Sequence, residues 1–355
     1  MTFGQFKRHG IIFMWETKKG LKILDSIAKR FRPILKYWSY LGILIGFLGM
    51  AFIFYTLTKS VYTLLIGVSA APAVSLVIPG VKMANGIRVP LIEGILALIT
   101  LLFIHEGGHG VISRVHNIKI KSAGAGLLAI LPFAFVRPDE KQLAKAPLMH
   151  RLSMYAAGPW ANITSAILAV LAMIFLVMPV MVGAFETTGL EIMSTEEGLP
   201  MQEAGVIAGD ILLAIDGIII TDFQEFIKHI STKNPGDVTT FTLQDRELEV
   251  IATQNPDNPE IGHFGFSFYP QMEGTKWYSN PLLFFSRFLK WFTILSLGIG
   301  LFNLLPIPIL DGGKMMKDGI SAAIKDKKQA NKVFMYLSLL STGVLIGAIL
   351  LPFLV

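Results

Sequence analysis

The side chains in this sequence best suited to chemistry lie where a chain least tolerates them, inside apolar runs. His105-Glu106-Gly107-Gly108-His109 closes the apolar stretch 91–104. On a helix, residues four apart share a face and lie about 6 Å apart along the axis, so both imidazoles can reach one ion. Neutral imidazole is a good zinc ligand at about 2.0–2.1 Å, and a neighbouring glutamate can act as general base on a zinc-bound water. The structural alternative is a pair of packing histidines at a helix end. Ionisable groups at membrane depth are costly and usually mark a function, which favours the metal.

Catalytic zinc usually takes three protein ligands and keeps one position open. His116 shares the helix face but lies about 10 Å further along the axis, out of reach of the same ion. Asp311 is better placed, at the end of Asn303-Leu304-Leu305-Pro306-Ile307-Pro308-Ile309-Leu310-Asp311-Gly312. Its structural alternative is a turn carboxylate before Gly312. Pro306 and Pro308 lack amide donors and disfavour continuous helix, which leaves extended backbone beside the metal. Asn303 either hydrogen-bonds substrate or a developing oxyanion, or ties two helices together; the sequence leaves both open.

The elements that must position these residues follow from composition. The chain has 355 residues, 53% of them hydrophobic and only 16% charged. A soluble domain carries about 25% charged residues, so a single water-covered globule and intrinsic disorder are both excluded. There is no cysteine, which removes disulfides, thiol nucleophiles and cysteine-ligated metal. A membrane helix needs about 20 apolar residues. The stretches 38–58, 90–114, 152–182, 282–305 and 333–355 qualify or nearly do. A sixth, 61–80, follows the first too closely for a hairpin of helices and contains Pro72 and Pro79. It is expected to be re-entrant or interfacial, with an irregular loop from Pro79 to Pro90.

The net charge of +6 is less informative than its distribution. Residues 1–36 hold nine Lys and Arg against two acids, whereas 184–280 hold sixteen acids against four bases. Loops rich in Lys and Arg stay cytoplasmic. The N-terminus and the basic loops 115–151 and 314–332 are therefore expected on the cytoplasmic side, and the acidic block on the far side. That arrangement puts His105, His109 and Asp311 on one side of the bilayer. No aromatic–basic interleaving or known fold signature points to a nucleic-acid partner.

Three motifs, in order, resemble the site-2 protease family of intramembrane zinc metalloproteases. They are H-E-x-x-H at 105–109, Gly158-Pro159-Trp160-Ala161-Asn162, and N-x-x-P-x-x-x-L-D-G from Asn303 to Gly312. The resemblance covers roughly 90–182 and 282–320. It implies one Zn2+ per chain held by His105, His109 and Asp311, with Glu106 as catalytic base; Asn162 joins Asn303 as a candidate substrate or oxyanion contact, although the residues of that helix, read alone, suggest core packing. Gly107 departs from the leucine common after H-E, at a position that is not a ligand. The family also implies short strands within 119–138, beside the site.

Residues 184–275 read as an ordinary soluble module. Ala204-Gly205-Val206-Ile207-Ala208-Gly209-Asp210 leads to Ile215-Asp216-Gly217, a pattern similar to protease-associated PDZ domains. Such modules bind peptide ends or strands, and a purely structural cap is the alternative. The expected fold is an α-helical polytopic membrane protein of about five to six spans with an inserted small α+β PDZ-like domain. The expected divisions are a basic cytoplasmic arm (1–36), a first span with the re-entrant piece (37–89), a protease core in two parts (90–183 and 276–320), the extracytoplasmic insert (184–275), and a last loop and span (321–355). The expected activity is zinc-dependent cleavage of transmembrane protein substrates in the lipid bilayer, the chemistry of regulated intramembrane proteolysis. An ion- or proton-moving transporter and an inactive PDZ-type scaffold are the rivals. The transporter does not need Glu106 directly after His105, and the intact Glu106 argues against the scaffold.

Overall fold

A computed structural model of the chain describes residues 5–9, 12–17, 20–67, 77–81, 88–128, 131–256 and 258–353. It divides into two compact units, Met1–Met173 with Ser286–Val355, and Ile174–Phe285. Among the described residues five helices are long and apolar enough to cross a membrane: Arg32–Leu65, Leu91–Val115, Leu148–Val182, Ser279–Phe302 and Lys327–Leu350.

The first unit begins with a strand hairpin, β1 (Gln5–His9) and β2 (Ile12–Thr17), followed by the short helix α1 (Leu21–Arg30). Thus part of the expected basic arm is built into the fold. β2 pairs antiparallel with β3 (Ile120–Leu128), which pairs with β4 (Leu131–Pro138), giving the sheet order β1-β2-β3-β4. Ala28 of α1 packs with Ile112, Val115 and Ala157, and Arg114 Nε lies 2.9 Å from Asp25. The partner strand lies more than a hundred residues away in sequence, so charge counting alone could not reveal this pairing.

α2 (Arg32–Leu65) differs from the expected span and separate re-entrant piece. Its 34 residues extend about 51 Å at 1.5 Å per residue, well beyond the roughly 30 Å apolar thickness of a bilayer. The polar triplet Thr58-Lys59-Ser60 contains no helix breaker. Thr58 Oγ1 donates to Phe54 O at 2.8 Å and Thr63 Oγ1 to Ser60 O at 3.0 Å, absorbing the hydroxyls within the helix. Residues 61–65 therefore complete α2. Pro72 and the rest of 68–76 lie outside the described residues.

The remaining elements of this unit surround the motifs. α3 (Leu91–Val115) precedes the β3–β4 hairpin; α4 (Glu140–Lys145) and α5 (Leu148–Ala172) follow it. A π-helical turn, Met173–Val177, spans the boundary, and α6 (Met178–Val182) lies in the second unit. The second unit holds β5 (Phe185–Thr195), α7 (Pro200–Glu203), β6 (Ile211–Ile215), β7 (Ile218–Ile219), α8 (Phe223–Ile230), β8 (Val238–Leu243), β9 (Glu247–Ile251), β10 (Thr253–Gln254), β11 (Gly262–His263) and β12 (Phe266–Gly274). The chain ends in α9 (Ser279–Phe302), α10 (Asp311–Ala323) and α11 (Lys327–Leu350).

The second unit is a small antiparallel α+β domain with sheet order β12-β5-β6-β8-β9. Leu190, Leu212, Ile215, Phe226 and Phe241 form its core. The fold is thus that of a helical membrane protein with an inserted small antiparallel α+β domain. Asp216 and Gly217 both have positive φ, 50° and 75°, in the tight turn from β6 to β7. An aspartate followed by glycine suits such a turn. Asp216 Oδ1 accepts from Thr240 N at 2.9 Å, while Oδ2 meets His229 Nε2 at 2.9 Å and the Lys233 ammonium.

These contacts make a pH prediction. Burial alone would raise the Asp216 pKa; the hydrogen bonds from Lys233, His229 and the Thr240 amide outweigh it and lower the value to about 2. A carboxyl whose pKa is depressed on folding contributes stability above its unfolded pKa of about 3.9 and loses it as pH falls through the folded value. Hydrogen-exchange protection of β8 in the whole protein is expected to fall between about pH 4 and 2, and Asp216→Asn to flatten that dependence. An unchanged slope in the variant would contradict this role for Asp216.

Candidate metal centre

The site is built where α3, α5 and the turn before α10 meet. α3 sets His105 and His109 one turn apart, with their ring centroids 4.9 Å from each other. The two Nε2 atoms are 3.3 Å apart. Asp311 Oδ2 lies 3.3 Å from His105 Nε2 and 3.1 Å from His109 Nε2. Ligands at 2.0–2.1 Å from zinc with tetrahedral angles stand about 3.3 Å from one another. The three donor atoms therefore form one face of a zinc-sized tetrahedron. Among the described residues this is the one group of three or more potential ligands close enough to share an ion.

The rings are oriented by their surroundings. His109 Nδ1 lies 2.7 Å from Met154 O on α5. A carbonyl can only accept, so Nδ1 carries hydrogen and Nε2 is left with its lone pair free for a metal. His105 Nδ1 is buried without a partner. α3 and α5 approach closely at small residues. A Cβ at Gly108 would lie 2.6 Å from Ala157 O, and one at Gly158 would meet His109 Nε2 and lie 2.7 Å from His105 Nε2. Gly158 thus forms the floor beneath the donor triangle. Pro159, next to it inside α5, has no amide to give Tyr155 O.

Asp311 reaches the site because α9 stops at Phe302 and the chain turns back on itself. Gly312 N donates to Asn303 O at 2.8 Å and Leu310 N to Ile307 O at 2.9 Å. Leu304 and Leu305 are fully buried and anchor the turn. Side chains at 312 and 313 would run into Leu304 O and Ile307 O, which accounts for the paired glycines after the aspartate.

A cavity of about 470 Å³ opens over the triangle and is lined by His105, Glu106, His109, Val136, Tyr155, Asn303, Asp311 and Lys314, among others. Glu106 Oε2 accepts from Val136 N on β4 at 2.7 Å. The structure therefore brings His105, Glu106, His109, Asn303 and Asp311 to one cavity. Asn303 Nδ2 donates to Ile299 O at 3.0 Å, so part of that amide closes the end of α9. Asn162 is not among the cavity's lining residues. It is fully buried, and neither polar atom of its side chain has a partner. His116 stands apart as well, 2.8 Å from Ser153 Oγ and stacked on His150 at 4.1 Å. Sequence reasoning did not identify Gly158 as the floor, the Met154 carbonyl, the Val136 amide or Lys314. Of these, Gly158 had a readable signal in its motif position and Lys314 in its place three residues after Asp311; the Met154 carbonyl and the Val136 amide had none.

Apolar helices carrying two imidazoles, a carboxylate and an adjacent glutamate around a cavity define a candidate metal centre within a membrane protein. The model for Peptidase family M50 matches residues 93–346, and the chain belongs to that family. It is a membrane zinc metalloprotease of the site-2 protease kind. An uncharacterized protein of Methanocaldococcus jannaschii is 31% identical, over 85% of this chain and 76% of its own. A membrane-bound transcription factor site-2 protease homolog of Arabidopsis thaliana is 24% identical over 57% of this chain and 39% of its own length. A putative zinc metalloprotease of Rhizobium meliloti is 24% identical over 64% and 86%. Among solved structures, the PDZ domain of the SdrC-like protein from Listeria monocytogenes matches 23% of this chain and 87% of that one, at 23% identity and a TM-score of 0.21.

Proposed function

We propose that the protein is a zinc-dependent intramembrane endopeptidase that cleaves transmembrane segments of other membrane proteins. His105, His109 and Asp311 hold one zinc ion, and Glu106 is the general base. The observation that carries this reading is the triangle of donor atoms, with edges of 3.1–3.3 Å, beneath a cavity that also contains Glu106. Bound there, zinc supplies Lewis acidity toward a carbonyl and lowers the pKa of water.

The chain's own residues do the rest. Glu106, held through Oε2 by the Val136 amide, takes a proton from the attacking water and returns it to the leaving amine. The substrate is cleaved as a locally unwound peptide, because a helical segment keeps its amides in its own hydrogen bonds. The basic N-terminal segment and the site face the cytoplasm, and the acidic insert lies on the far side, where it takes a peptide end or strand and limits which substrates enter.

The test uses purified full-length protein with a reporter transmembrane substrate. Cleavage is expected to stop after chelation and to return on adding zinc. Cleavage that persists in metal-free protein would rule out this reading.

A further inference from the structure

Asp311 has two oxygens, and the structure uses them differently. Oδ2 faces both imidazole Nε2 atoms, at 3.3 and 3.1 Å. Oδ1 is met by Lys314 Nζ at 3.1 Å. Lys314 lies one turn further along α10, its side chain about half exposed (47%), while the Asp311 side chain is almost fully buried at 8%. Lys314 also lines the cavity over the donor triangle.

The backbone around Asp311 has little freedom. Gly312 N is bonded to Asn303 O, Lys314 N to Leu310 O, and the glycines at 312 and 313 sit against Leu304 O and Ile307 O. The side-chain torsions, above all rotation of the carboxylate about its last bond, set which oxygens are presented to the site. That rotation decides whether one oxygen or two face the ion. A carboxylate that offers both oxygens takes up two positions on a metal whose catalytic use requires one open position.

Resting on the metal-site reading above, the geometry points to Lys314 as a positioning residue that engages Asp311 Oδ1 and so restricts Asp311 to coordination through Oδ2 alone. The position left open is the one that water and the scissile carbonyl require. The ammonium also draws electron density from the ligand carboxylate, leaving a bound ion the stronger Lewis acid. Partners of this kind, which orient a ligand without touching the metal, typically change activity or metal affinity about 10–100-fold when removed.

The experiment compares wild type, Lys314→Met and Lys314→Arg, each full length and loaded with Co2+ in place of zinc. Co2+ absorbs strongly in the visible range when four-coordinate and weakly when a fifth donor is added. Lys314→Met, which keeps an unbranched side chain of nearly the same length and loses its charge, is expected to lose visible absorption as Asp311 turns both oxygens to the ion. Its zinc form is expected to cleave about 10–100-fold more slowly through kcat, with KM little changed. Lys314→Arg retains a donor for Oδ1 and is expected to restore both. A Lys314→Met protein with the wild-type Co2+ spectrum overturns the proposal, including the case where KM alone rises because the lysine contacts substrate. Wild-type protein that takes up no Co2+ overturns the metal-site reading itself, a result distinct from failure of the lysine's role.

Discussion

Glu106→Gln protein is expected to retain its zinc and to cleave a transmembrane substrate about 10²–10⁴-fold more slowly, the contribution typical of general acid–base catalysis. The substitution separates chemistry from placement. Glutamine has the length and shape of glutamate, and its carbonyl oxygen can still accept from Val136 N, the contact that holds Glu106 against β4 at 2.7 Å. The donor triangle of His105, His109 and Asp311 includes no atom of residue 106. Position and metal therefore survive, and only the capacity to accept a proton is lost. Asp311→Asn makes the complementary change: it leaves the base and weakens the ion's site, so its defect should diminish as zinc concentration is raised while that of Glu106→Gln should not. Zinc content and single-turnover cleavage, measured on the same preparations, distinguish the two. Wild-type cleavage by Glu106→Gln would exclude Glu106 as the base.

Much of the site was readable because its signals are local. His105 and His109 share a helix face by spacing alone, and the leucine-aspartate-glycine turn stands out in a run too apolar to need a carboxylate. Lys and Arg counts then placed both motifs on one side of the bilayer. What could not be read depends on contacts between distant segments. The β1–β2 hairpin pairs with β3 across more than a hundred residues, a contact that the charge count over residues 1–36 does not reveal. The helix runs on past residue 58, where the apolar stretch ends, because Thr58 and Thr63 bond their hydroxyls to carbonyls within the helix. Asn162 carries a motif position yet is buried away from the cavity, so motif membership alone did not indicate reach.

Gly158 offers the sharpest test, because two principles predict opposite results. By helix propensity, Gly158→Ala in the middle of α5 should stabilise the helix by about 1 kcal/mol. By packing, the added methyl would meet His109 Nε2 and lie 2.7 Å from His105 Nε2, in the space against which both donor atoms rest. Admitting it requires the imidazoles or the helices to shift. The His109–Met154 bond links α3 to α5, and bulky groups between the helices would loosen the ring orientation that this bond sets. Packing should win at the site even where propensity wins for the helix. Gly158→Ala is therefore expected to fold, with unfolding temperature unchanged or raised in metal-free protein, and to bind zinc about 10–100-fold more weakly. Gly107 supplies the internal control. It lies between Glu106 and Gly108 on α3, but a Cβ there meets nothing within 4 Å. Gly107→Ala should gain the propensity benefit and leave zinc affinity at the wild-type value. If both variants bind zinc like wild type, the donor triangle does not depend on Gly158 as its floor. If both lose affinity equally, the effect belongs to helix rigidity rather than to the contact with the imidazoles.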